Sequence, residues 1–111
     1  MTAKKVTGIG GVFFKANDPK AMYDWYQKHL GIDPLPDGSC AIFEWREKDS
    51  QAEGMTVWSI ARRDSRQFGN GPQTFMVNYR VENLDALLET LKAEGVEIDP
   101  KREDGEFGKF A

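Results

Sequence analysis

The chain has 111 residues and a mass of 12.6 kDa, enough for one domain with its own core and too little for separate cofactor and substrate domains. A formal charge of −3, a pI near 5.2 and scattered basic residues exclude the electrostatic footprint of a nucleic-acid binder. Short apolar runs exclude a spanning helix or a secretory leader, and the single Cys40 excludes an intrachain disulfide or a CxxC site, so a cytoplasmic protein with an inert strand thiol is expected.

The first element is a strand over Val6 to Ala16, in which Val12, Phe14 and Ala16 alternate with Gly11, Phe13 and Lys15. Asp18-Pro19 is an N-cap followed by proline at the first helical position. It opens a helix expected to carry Met22, Trp25, Tyr26 and Leu30 on its packed side and to stop at Gly31. Turn chemistry fills Asp33 to Gly38. Strands are expected over Cys40 to Glu47 and Met55 to Arg62, and Gln67 to Pro72 is a glycine-bearing loop. A strand over Thr74 to Val81 follows, then a helix capped by Asn83 with Leu84, Leu87, Leu88 and Leu91 at i, i+3, i+4 and i+7. Gly95 ends that helix before Val96-Glu97-Ile98.

The second half repeats the plan of the first at the spacing of its two caps. That offset sets Val12 against Val77, Phe14 against Tyr79, Lys15 against Arg80, Ala16 against Val81 and Ala21 against Ala86. Val12, Phe14 and Ala16, and in the second half Val77, Tyr79 and Val81, are therefore expected to face their helices. Gly11, Phe13 and Lys15, with Thr74, Met76, Asn78 and Arg80, should line the opposite face, where a ligand cleft belongs.

The segments DPKAMYDWYQKHLGI and VENLDALLETLKAEGVEI, each after a strand, resemble the two strand-to-helix units of the vicinal oxygen chelate superfamily. With TVWSI, FMVNYRV and DPKREDGEFGKFA the likeness covers nearly the whole chain and is to the glyoxalase, bleomycin-resistance and dioxygenase type. The resemblance implies an α+β fold: one domain over 1–111, with two βαβββ-type repeats (about 5–65 and about 72–111) curling mixed sheets around a cleft. It also implies that the last strand of the second repeat is missing from this sequence, and that a second chain completes the sheet as a homodimer.

In metal-dependent members of that superfamily the ligands come from the first and last strand of each half. The resemblance puts two of those positions on Gly11 and Met76, neither of which offers a hard donor, and the stretch Thr56 to Ser59 has no carboxylate or imidazole. No cofactor is therefore expected. The function expected is a glyoxalase or bleomycin-resistance-like protein binding a small molecule in its inter-repeat or dimer cleft without the usual metal, through Phe13, Trp45, Trp58, Met76, Asn78 and Arg80, with catalytic residues unassigned. The alternative is a divergent lyase, isomerase or dioxygenase that uses a divalent metal.

Other residues carry weaker signals. His29 belongs to the dipole of the first helix's C-terminal end, Glu44 is a solvent-facing strand carboxylate with general-base chemistry as its second reading, and Trp25 is expected in the core. The glycine run before Val12 is no phosphate loop, because it lacks the GK[ST] ending and precedes no helix directly.

Overall fold

The computed structural model describes residues 6–46, 53–66, 68, 72–105 and 108–111. In chain order it has β1 (Val6–Ala16), α1 (Pro19–Leu30), β2 (Ala41–Arg46), β3 (Glu53–Arg62), β4 (Phe75–Val81), α2 (Leu84–Ala93), β5 (Glu103–Gly105) and β6 (Gly108–Phe110). This is the mixed α+β architecture expected. Four strands form one sheet in the order β2-β3-β1-β4, and β5 and β6 pair as a separate antiparallel ribbon. Strand β3 runs parallel to β1 and antiparallel to β2. Glu47 and most of the 67–72 loop lie outside the described residues.

The chain resolves into two compact units, Ile9–Tyr79 and a second made of Met1–Gly8 with Arg80–Ala111. That division does not follow the repeat, since most of β4, the first strand of the second repeat, belongs with the first half.

Within the larger unit, α1 begins where Asp18 Oδ1 accepts from the Ala21 N–H at 3.1 Å. Such a cap is worth ~1 kcal/mol. The helix stops at Gly31, whose φ of 68° is left-handed, and the Gly31 and Ile32 N–H groups close back on the Gln27 and Tyr26 carbonyls. The face it buries differs from the one expected. Pro19, Met22, Tyr23 and Tyr26 form the packed stripe, while Trp25 and Leu30 are 50% and 61% exposed. Trp25 leaves the core because it is rotated off the 19-22-23-26 stripe; it lies instead against Tyr26 and His29 on the helix surface.

The core under α1 is aromatic: Tyr23, Ile60 and Ala16 are buried, with Phe14, Met22, Tyr26 and Trp58 packed on them. The rings of Phe14, Tyr23 and Tyr26 all meet Trp58 edge to face at centroid distances of 4.9 to 5.8 Å. Tyr23 does a second job at the sheet edge. The pairing of β2 with β3 begins at Ala41↔Trp58, so beyond Trp58 the edge of β3 has no β2 partner. There the Tyr23 hydroxyl accepts from the Ile60 N–H at 2.9 Å and donates to the Ser39 carbonyl at 3.1 Å. One side chain thus satisfies backbone groups that a longer β2 would have paired.

In the smaller unit α2 repeats the start of α1, with Asn83 Oδ1 accepting from the Ala86 N–H at 3.0 Å. Leu84, Leu87, Leu88 and Leu91 are half-buried as expected, yet no α2 residue is fully buried. Arg102 donates to Asp85 near the start of α2 at 2.5 Å and to Asp104 of β5 at 3.1 Å, and Lys109 of β6 lies 3.8 Å from Asp85, tying the ribbon to the helix.

The expectation that Tyr79 is buried with Val77 and Val81 is corrected: Tyr79 is 62% exposed and Phe75 66%. After its helix, the second repeat supplies, among the described residues, two exposed three-residue strands, where the first supplies strands of six and ten residues. Among the described residues no large side chain is fully buried, and no helix is long and apolar enough to cross a membrane.

Candidate functional site

Register decides which side chains share a face, since laterally paired residues project to the same side of a sheet. Val12 pairs with Trp58 and Phe14 with Ile60, so these four lie on the α1 side. Gly11, Phe13 and Lys15, paired with Val57, Ser59 and Ala61, lie on the other. Across β3 to β2 the same rule puts Ile42 and Glu44 on the Phe13 side and Ala41, Phe43 and Trp45 on the Trp58 side.

Of the six residues expected to bind ligand, Phe13 is therefore placed opposite the helix as read. Trp58 is not: it belongs to the aromatic core under α1. The sequence reading took its strand position without the parallel register that matches it to Val12. Trp45 also projects to the helix side. Its indole lies across Gly54, its partner in register, and its Nε1 donates to Thr56 Oγ1 at 3.1 Å, which in turn donates to the Ile9 carbonyl at 3.0 Å. That chain of bonds fixes the ring, and a glycine at 54 leaves room for it.

Met76 and Asn78 are half-buried and share one side of β4 by alternation. Among the described residues the Asn78 side chain has no hydrogen-bond partner, so its amide, with two donors and an acceptor, stays available. Arg80 is engaged. Its Nε donates to Thr7 Oγ1 and its Nη2 to the Thr7 carbonyl, both at 3.0 Å, while Thr7 Oγ1 donates back to the Arg80 carbonyl at 3.1 Å. The guanidinium lies on Gly8, where an added Cβ would come within 2.8 Å of Nη2. The guanidinium thus clamps β1, with its Nε and one Nη2 donor taken by Thr7.

The first metal-ligand position that the resemblance implies falls on Gly11. Gly11 is buried, and a Cβ built on it would meet the Phe13 ring at 2.7 Å and the Val57 carbonyl oxygen at 3.2 Å. The space where a ligating side chain would begin is filled by an aromatic ring. Among the described residues no three His, Cys, Asp or Glu side chains come together as a metal would require. At Gly11 the described residues offer no donor side chain to a divalent ion.

One residue enters that the sequence did not assign to the site, Phe68, and it meets Lys15, which was expected on this face. Phe68 is buried, at 6% exposure, inside a loop read only as a turn, and Lys15 holds its ammonium 5.2 Å from the centre of the Phe68 ring. A lone aromatic among glycine, asparagine and proline was the available signal. The remaining candidates fall away from this face. Exposed His29 stacks on Trp25 at the end of α1, Cys40 is buried beside β2, and Glu44 is exposed opposite Met55.

A family model described as Glyoxalase/Bleomycin resistance protein/Dioxygenase superfamily matches residues 8–111. Among solved structures, a variant of Streptomyces coelicolor methylmalonyl-CoA epimerase in complex with 2-nitronate-propionyl-CoA is 14% identical, with 93% of this chain and 83% of that chain covered and a TM-score of 0.61. Methylmalonyl-CoA epimerase from Mycobacterium tuberculosis is 21% identical over 96% of this chain and 77% of its own, at a TM-score of 0.54. At these identities the likeness is one of fold. No curated protein matches the sequence.

Proposed function

Because the chain belongs to the glyoxalase/bleomycin resistance protein/dioxygenase superfamily, we propose that it binds a small molecule on the sheet face opposite α1, without the divalent metal that many relatives use. The observation that carries this reading is the Phe13 ring seated over Gly11, which turns a ligand position into apolar floor. Phe13, Val57 and Ile42 supply apolar area on that face, at ~25 cal/mol per Å² covered, and Met76 and Asn78 of β4 add a thioether and an amide. Binding without turnover suits a face with one aromatic floor and few ionisable groups. As part of the same proposal a second copy of the chain pairs with the edge strand β4, completing the site on the Met76 and Asn78 side and covering Phe75 and Tyr79 on the other.

The second reading is a metal-dependent lyase, isomerase or dioxygenase, favoured by the likeness to methylmalonyl-CoA epimerases. Elemental analysis of the purified protein, with melting curves in added Zn, Ni, Mn or Fe and in chelator, separates the two. The metal-free proposal expects substoichiometric metal and an unmoved melting point. A stoichiometric ion held with sub-micromolar affinity overturns it. A strictly monomeric mass by light scattering at micromolar concentration overturns the dimer.

A further inference from the structure

We propose that the ligand of this face is an anion, a carboxylate on an apolar or aromatic body, and that Lys15 is the residue that recognises its charge. The inference rests on the small-molecule reading above and adds the chemical class. Lys15 is the next-to-last residue of β1, a strand flanked by β3 and β4 in the sheet, and its N–H is bonded to the Thr74 carbonyl at 2.8 Å, so its backbone is held. Its side chain is half-buried on the Phe13 face, beside Ala61 in register and against the buried Phe68 ring.

An ammonium carries three donors and no acceptor. Among the described residues no carboxylate, carbonyl or hydroxyl oxygen pairs with it, and it lies over the Phe68 ring, 5.2 Å from the centroid. The acids on the same face, Glu44 and Glu53, cannot serve. Register sets Glu44 beside Met55, six positions along β3 from Ala61, which is ~20 Å at the rise of a strand, and Glu53 lies two positions further along, paired with Arg46. Several other basic side chains of the described chain are paired at the surface: Lys20 with Asp24, Arg46 with Glu53, Arg62 with Asp64, Arg102 with Asp85. A cation kept partly out of water, with an aromatic ring to one side and a methyl side chain to the other, gains most from a negatively charged partner brought in from outside. Phe13 and Phe68 would then flank the apolar part of that partner.

The test is calorimetric titration of the full chain with three matched pairs that differ only in charge: 2-naphthoate and 2-naphthamide, indole-3-acetate and its amide, hexanoate and hexanamide. At least one acid should bind saturably and exceed its amide by about tenfold or more, as expected for a charged hydrogen bond. Lys15→Met should abolish that preference, and Lys15→Arg should keep it. Equal affinity for acid and amide, or a preference that survives Lys15→Met, overturns the role of Lys15 and leaves small-molecule binding standing. No saturable binding of any of the six up to ~1 mM removes both proposals. If Lys15→Met does not fold, as its melting curve would show, the acid–amide comparison on the unaltered chain and on Lys15→Arg decides.

Discussion

Removing one oxygen atom from Tyr23 should destabilise the larger unit far more than removing the same atom from Tyr26. Both tyrosines sit on the packed stripe of α1 and both rings meet Trp58. Only the Tyr23 hydroxyl bonds backbone, accepting from Ile60 N–H at 2.9 Å in a buried position and donating to the Ser39 carbonyl. In Tyr23→Phe the Ser39 carbonyl keeps the Ser59 hydroxyl at 3.0 Å, so the main loss is the buried Ile60 donor. An unsatisfied donor of that kind costs ~1–3 kcal/mol, which for a domain of this size lowers the melting point by roughly 4 °C per kcal/mol or more. Tyr26→Phe removes a hydroxyl with no partner among the described residues and should stay within ~0.5 kcal/mol of the unaltered chain. Urea unfolding followed by tryptophan fluorescence reads both. Equal stabilities for the two variants would refute the edge-capping role of Tyr23.

Gly54→Val should fail to seat the Trp45 indole, costing ~1–3 kcal/mol and exposing Trp45 to acrylamide quenching; an unchanged quenching constant would argue against the packing. The Asp85 carboxyl is held below its ordinary value, first by the Arg102 hydrogen bond and then by the Arg102 charge. A folded-state pKa below the unfolded one means that its contribution is fully present above the unfolded carboxylate value and disappears as pH falls through the lowered folded value. The stability difference between the unaltered chain and Asp85→Asn should therefore be constant from about pH 5 to 8 and shrink below that, measured by urea titration at each pH. A difference that grows toward low pH would contradict the ion pair.

Element positions were legible because their signals are local. Both caps, Asp18 and Asn83, bond the N–H three residues on, to Ala21 and Ala86, which the internal offset had already set against each other. The buried face of α1 was misread since apolar side chains occupy positions 22, 23, 25, 26 and 30, and two stripes compete. The repeat held the answer. Carried back by the offset, the leucines of α2 fall on Pro19, Met22, Tyr23 and Tyr26, the stripe that packs. The site was harder to read, because it depends on lateral register between strands distant in sequence. The match of Val12 to Trp58 sends that tryptophan to the core, and the Phe68 contact with Lys15 joins a loop to a strand far upstream. The Arg80 clamp was hidden for the same reason, Thr7 and Arg80 lying 73 residues apart.

The ring resting on Gly11 also constrains how such a protein could change. A histidine introduced at position 11 alone would collide with Phe13, and a smaller residue at position 13 alone would open a hole beside a backbone with nothing to coordinate. The two positions are therefore coupled, and the effect of changing both together should differ from the sum of the two single changes.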